Sequence, residues 1–260
     1  MPEYQYLGVS TEEKICTLTI SNPPANLLSK AVLTELNQFL DDLTKNSTAK
    51  VLILTGAGTF FIVGADIKEI SELKNAADGN EAASLGQRVF SKLENLSIPT
   101  IAAINGHCLG GGNELAMSCS IRIASDRARL GQPEINLGIM PGFGGTQRLA
   151  RLVGKAKSLE LNLTGEMMNA KEAYEIGLVN RLVPESEVMK QALGLAKKIA
   201  SKSRPAVERI LKATREGLAR SLEEGLKLEA SLFGQLCETE DMREGLKAFL
   251  EKRQPKFQDR

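Results

Sequence analysis

Strand and helix signals alternate along the chain up to about residue 183 and give way to helix signals alone from Pro184, which predicts an α/β fold with a C-terminal helical region. Three observations carry this. Val51–Thr55 (VLILT) and Ile101–Ile104 are short, wholly apolar runs, the mark of strands covered on both faces. Each ends in a glycine turn, at Gly56-Ala57-Gly58 and at Asn105-Gly106. Between and after such runs, apolar residues return at a period of 3.6. With 260 residues, 42% of them hydrophobic and 25% charged, there is length for a large core, read here as residues 1–200 with a helical region over 201–260.

Taken in order, Ile15–Ser21 (ICTLTIS) alternates as a strand and stops at Asn22-Pro23-Pro24, where two prolines forbid further pairing. Ser29 is placed to cap a helix whose apolar positions are Val32, Leu33, Leu36, Leu40 and Leu43. The apolar tetrad Phe60–Val63 leads into Gly64-Ala65-Asp66, and Asp66 with Glu69 has the spacing of a capping box. The polar stretch Asn75–Asn80 (NAADGN) predicts a surface loop over the site. After a further strand at Ile121–Ala124, proline and glycine crowd the segment from Leu130 to Thr146, with Thr146 the expected cap of a helix over Gln147–Val153. Pro184 fits the first position of a helix carrying Val188, Ala192, Ala196 and Ile199. Ser221-x-x-Glu224 is a capping box ahead of Leu222, Leu226, Leu232, Phe233 and Leu236. The helices after about residue 200 carry more apolar surface than an appended extension could hide, which predicts packing between subunits.

The chemistry concentrates in Ile101–Met117 (IAAINGHCLGGGNELAM). A strand that feeds a glycine turn and then a helix aims several backbone N–H groups at one point, with the positive end of the helix dipole behind them. Such a point suits an anion or a developing oxyanion, although a glycine triplet alone also serves tight packing. Glu114, one helical turn after Gly111, can hang its carboxylate beside it. A second strand–turn–helix junction places N–H groups around Gly64 and Ala65, which on its own reads equally as a helix cap. Glu134, set among Gln132-Pro133 and glycines, is a further candidate carboxylate.

Composition narrows the alternatives. Lys and Arg number 33 against 32 Asp and Glu, a net charge of +1 that gives no pull toward nucleic acid or membrane. No apolar run approaches the roughly 18 residues of a spanning helix, and the start lacks a secretion signal, so a cytoplasmic protein is expected. Cys16, Cys108, Cys119 and Cys237 form no C-x-x-C pair and read as mostly buried reduced thiols. His107 is the only histidine, which excludes most triads and multi-histidine metal sites and leaves acid–base work to carboxylates. Neither a G-x-G-x-x-G fingerprint nor a phosphate-binding G-x-x-x-x-G-K-[ST] loop occurs. Residues 197–220 hold eight basic and two acidic residues and residues 221–251 three and eight, an asymmetry that suits helices pairing with each other more than an RNA-binding face.

Phe61–Glu69 (FIVGADIKE), Asn105–Met117 (NGHCLGGGNELAM) and Gly131–Arg148 (GQPEINLGIMPGFGGTQR) together resemble the enoyl-CoA hydratase, or crotonase, family. The likeness runs from about residue 5 to the end and includes the closing Phe249-Leu250-Glu251-Lys252-Arg253. It implies a crotonase-like spiral of ββα units, a C-terminal helical oligomerisation region, homotrimers that often pair into hexamers, and an acyl-CoA thioester as substrate with no separate cofactor or metal. By position, Ala65 and Gly111 resemble the two oxyanion-hole donors, and Glu114 and Glu134 the two catalytic carboxylates. Ala25, Val63, Gly64, Asp66, Ile67, Lys68 and Gly142 resemble the substrate-binding positions. Val63 stands where the family usually has Ala, and Asn113 where Cys or Leu is common. The resemblance implies hydration of a 2-enoyl-CoA, as in fatty acid β-oxidation. An enoyl-CoA isomerase, which often lacks one carboxylate, is the alternative among enzymes, and a non-catalytic RNA-binding or scaffold homologue the alternative outside them.

Overall fold

The structure, a computed structural model, describes residues 4–260, so the first three residues of the expected leaderless start lie outside the described residues. Leu7–Glu12 (β1) and Ile15–Ile20 (β2) pair antiparallel, and Ser29 caps the helix Lys30–Asn46 (α1) by accepting the Val32 N–H. From Val51 one path repeats. Val51–Gly56 (β3), Ile62–Val63 (β4) and the helices Ile67–Ser71 (α2) and Ala76–Glu94 (α3) form its first turn. Thr100–Ile104 (β5), Cys108–Leu109 (β6) and Gly111–Ser118 (α4) form the second. Ile121–Ser125 (β7), Arg129–Gly131 (β8), a 3₁₀ turn at Pro133–Leu137 and Gly145–Val153 (α5) form the third.

Each turn therefore gives one strand to each of two sheets and then a helix, the expected spiral of ββα units. Lys155–Thr164 (α6), Met167–Asn169 (β9), Ala170–Glu175 (α7) and Arg181–Val183 (β10) complete the core. The larger sheet has the order β1-β2-β3-β5-β7-β10 and is parallel except at β1. The smaller has the order β4-β6-β8-β9, with β9 antiparallel.

The apolar strands are buried on both faces, as their sequences require. Leu52, Leu54, Ala102, Ile104 and Ala124 face the main core with α1 and α3. Val51, Ile53, Ile101, Ala103 and Ile123 face the other way, against Val188, Ala192 and Ala196 of the helix Val188–Ala200 (α8). Arg204–Leu218 (α9), Leu222–Leu236 (α10) and Glu240–Leu250 (α11) follow. The last residues run back as an extended tail. Asp259 pairs with the buried Lys50 ammonium at 2.6 Å, and the Asp241 carboxylate takes the N–H of Gln258 at 2.6 Å. Among the described residues no helix is long and apolar enough to cross a membrane.

Five local expectations change. Asn75–Asn80 is not a loop: Asn75 accepts the N–H groups of Ala77 and Asp78 and starts α3, so its polarity belongs to a capped first turn. Asp66 caps α2 through the Lys68 N–H, but no capping box closes, because Glu69 accepts the Lys30 N–H at 2.7 Å instead. Thr146 does not cap α5; the cap position is Gly144, at φ 112°, a conformation that suits glycine. Pro184 precedes a 3₁₀ turn at Glu185–Glu187, and α8 begins only at Val188. The helical pattern also stops short of the end, at Leu250.

Candidate active site

The two glycine junctions meet because β4 and β6 are neighbours in the small sheet, with Ile62 opposite Cys108 and Val63 opposite Leu109. Each chain leaves this ladder at its glycine turn. Beyond β4, Ala65 bridges to Leu28, which uses Gly64 O (2.9 Å) and the Asp66 N–H (3.2 Å). A parallel bridge of this kind turns the Ala65 N–H away from Leu28, toward the β6 side. Beyond β6, Gly110 takes φ 50° and ψ −124°, and Gly111 becomes the first residue of α4, whose N–H a helix leaves without an internal partner. Ala65 and Gly111 both line one cavity of about 580 Å³.

Glu114 and Glu134 line the same cavity. Glu114 is buried, and its Oε1 accepts the N–H groups of Phe143 (2.8 Å) and Gly145 (2.7 Å). Burial, and then repulsion from Glu134, push its carboxyl up to about 8 in spite of those two bonds. Glu134, half-buried in the 3₁₀ turn, is pushed up to about 7 by burial. Its Oε2 is buried and finds no partner among the described residues, which favours the neutral form. Both carboxyls are thus raised by burial, and the charge of Glu134 raises Glu114 further.

The remaining walls are apolar: Val63, Ile67, Ile70, Leu73, Leu137, Ile139 and Met140, with Gly79, Ala82 and Ala83 of α3 opposite them. A second cavity of about 420 Å³ shares Ala65, Ile70, Leu73, Ala82 and Phe143 with the first and adds charged groups, with Lys30, Asp66, Glu69 and Glu81 in its lining.

Of the positions singled out from sequence, Ala65, Gly111, Glu114, Glu134, Val63, Gly64, Ile67 and Gly142 come together in the apolar cavity. Asp66 lines the adjoining one. Ala25 and Lys68 line neither: the Ala25 carbonyl accepts the Val63 N–H at 3.1 Å, and exposed Lys68 follows the Asp66 cap. Sequence reasoning missed Phe143 and Gly145 as the groups that hold Glu114, and Arg148, which donates to Phe143 O (2.9 Å) and to Glu94 (2.8 Å). The crowding of Gly142–Gly145 was the available signal, but a backbone N–H leaves no mark in a sequence. His107 packs at a tilt against Phe60, with ring centroids 5.6 Å apart, and does not line either cavity. No group of three or more His, Cys, Asp or Glu among the described residues could hold a metal ion.

The family profile described as "Enoyl-CoA hydratase/isomerase" matches residues 10–260. A probable enoyl-CoA hydratase of Bacillus subtilis is 47% identical, over 96% of this chain and 98% of its own. A short-chain-enoyl-CoA hydratase of Clostridium acetobutylicum is 45% identical, over 93% of each chain. The crystal structure of an enoyl-CoA hydratase from Bacillus anthracis superposes with a TM-score of 0.94 at 39% identity, over 98% of this chain and 100% of that one. With this match over residues 10–260, and with Glu114, Glu134, Ala65 and Gly111 lining one cavity, the chain belongs to the enoyl-CoA hydratase/isomerase family.

Proposed function

We propose that this protein is a hydro-lyase that adds water across the 2,3 double bond of a 2-enoyl-CoA thioester to give the 3-hydroxyacyl-CoA. The observation that carries the reading is that Glu114 and Glu134 face one cavity with the Ala65 and Gly111 N–H groups at its edge. The thioester carbonyl sits between the two N–H groups, which draws electron density from the conjugated double bond and opens Cβ to water. Glu114 Oε1 is held by two N–H groups, which leaves the other oxygen to take a proton from the water. Glu134 gives a proton to Cα, the one proton of the pair standing on Glu134 when the enoyl group is bound. The enolate oxygen gains its charge where the two N–H groups point and loses it as Cα is protonated, so the pair of carboxyls ends each turnover with one shared proton.

The acyl chain lies along the apolar walls, and the pantetheine arm, with its amides, runs into the second cavity past Asp66. CoA is part of the substrate, and the reaction needs no further cofactor or metal. The protein assembles as a trimer or a pair of trimers; Leu218, Leu222 and Phe249 on α9–α11 are 80% exposed or more, which a lone chain rarely tolerates. The three buried, unpaired cysteines suit a reducing cytoplasm and a role in fatty acid breakdown.

The test is a steady-state assay of hydration over a series of trans-2-enoyl-CoA chain lengths, run beside 3-enoyl to 2-enoyl isomerisation. Hydration should exceed isomerisation for at least the short chains. Isomerisation without hydration would assign the protein to the isomerase side of its family, and binding of RNA with neither activity to a scaffold role.

A further inference from the structure

We propose that Gln132, oriented by Asn113, is a positioning residue that holds the Gly110–Gly111 peptide plane and so aims the oxyanion-hole N–H of Gly111; the inference rests on the reading of Gly111 as a donor to the thioester. Gly110 O and Gly111 N–H belong to one trans peptide, so they point in opposite directions. Whatever fixes the oxygen aims the donor. Gly110 is the cap residue of α4 yet has no side chain to hold it, and φ 50° is a conformation that leaves the plane free to turn. The Glu114 N–H takes Gly110 O at 2.9 Å as the first bond of α4. A carbonyl oxygen has a second lone pair.

That second position is filled by the Gln132 side chain, which is fully buried. Turned with its nitrogen toward the small sheet, the Gln132 amide donates to Gly110 O at 3.2 Å and to Gly131 O at 3.0 Å, whereas the opposite orientation sets oxygen against oxygen. Gly131 O also accepts the Gly110 N–H at 2.9 Å, so Gln132 spans both carbonyls at the end of the β6–β8 ladder. Asn113, likewise fully buried, faces the same Gln132 atom at 3.1 Å; in the proposed arrangement the Asn113 amide turns together with that of Gln132, so that its oxygen accepts from the Gln132 nitrogen. Asn113 stands one residue before Glu114 on α4. It therefore fixes the rotation of the Gln132 amide without touching substrate.

The experiment uses Gln132→Met, which keeps length and loses the donor, and Asn113→Leu, which leaves the Gln132 amide in place but free to turn. Butyryl-CoA carrying ¹³C at its carbonyl is bound to each protein, and the carbonyl stretch is read by isotope-edited infrared difference beside kcat and KM for crotonyl-CoA hydration. In the wild type the stretch should fall well below its value in water. In Gln132→Met it should return part of the way, with kcat down roughly tenfold or more and KM within about threefold, a smaller loss than deleting a donor outright. Asn113→Leu should show the same pair of changes at smaller size. A folded Gln132→Met that keeps both the lowered stretch and kcat overturns the inference, and so does one that loses thermal stability and KM with the stretch unmoved. If Gln132→Met does not fold, an unchanged stretch in Asn113→Leu overturns it equally. A wild type whose bound carbonyl is not lowered at all removes the oxyanion reading, and the inference with it.

Discussion

Glu114 Oε1 accepts the N–H of Gly145, the first residue of α5, at 2.7 Å, across 31 positions of sequence. The carboxylate proposed to activate water thus does the work of a helix cap that Thr146 does not do. Glu114→Gln retains an acceptor for the Gly145 and Phe143 N–H groups, whereas Glu114→Ala leaves both buried without a partner. Thermal melts should place Glu114→Ala below Glu114→Gln by about 1–3 kcal/mol for each orphaned donor. Equal melting of the two variants would show that water or a loop shift replaces the carboxylate.

In the proposed reaction each carboxylate has its own task on one water and one double bond. Glu114→Gln and Glu134→Gln should each lower kcat for hydration of a short trans-2-enoyl-CoA by ~10²- to 10⁴-fold. The double variant should lose much less than the product of the two losses, since both act in one event. A single variant that hydrates at close to the wild-type rate would remove the two-carboxylate mechanism in favour of the isomerase alternative.

The raised carboxyls make stability depend on pH with a definite sign. A carboxyl whose folded pKa lies above its ordinary value binds its proton more tightly when folded. Its contribution is then complete below roughly pH 4, where the unfolded chain titrates, and is lost as pH rises through about 7 for Glu134 and about 8 for Glu114. Glu134→Gln removes this loss and forfeits no hydrogen bond at the orphaned Oε2. Its melting temperature should exceed the wild-type value most at pH 8.5 and draw level toward pH 5. A pH-independent offset between the two proteins would contradict the assignment. The rate should also fall on both sides of neutrality, since the pair works with one proton.

Gly86 on α3 lies directly under Phe143: a Cβ there would clash with the ring, which also packs edge to face on Phe90 of the same helix, with centroids 5.6 Å apart. Gly86→Ala should cost about 1–3 kcal/mol of stability by overpacking. Because the Phe143 N–H holds Glu114, kcat should fall as well, by more than the loss of folded protein explains. Chemical denaturation together with active-site titration separates the two effects. An unchanged kcat per folded site would show that Phe143 moves without its backbone.

The exposed apolar rows of α9–α11 predict an assembly of at least three chains. Light scattering at micromolar concentration should return three times the chain mass or more, and Leu222→Glu with Phe249→Glu should lower it. A monomeric wild type would refute this.

Much of the fold was legible because its strands are buried on both faces and so write unbroken apolar runs, as Val51–Thr55 and Ile101–Ile104 do. The small sheet was not, since β4 and β6 have two residues each and no period can show in so few. Asn75–Asn80 misled for a different reason: Asn, Asp and Gly mark loops and capped helix starts alike, and only the Ala77 and Asp78 N–H groups decide between them. In the site, Ala65 and Gly111 were visible through their glycine turns and Glu114 through its spacing, whereas the groups that hold Glu114 are main-chain atoms from far along the chain.

Ala65 and Gly111 follow two adjacent strands of one parallel ladder, β4 and β6. Neighbouring strands keep a separation of about 4.8 Å whatever side chains they carry. The gap between the two proposed donors is therefore gauged by the peptide backbone, and substitutions that leave the ladder intact do not open or close it. Selection can exchange Val63, Leu137 or Met140 to admit a longer or bulkier chain while the proposed grip on the thioester stays as it was. A change of acyl guest is, in this architecture, an alteration of the walls that spares the clamp.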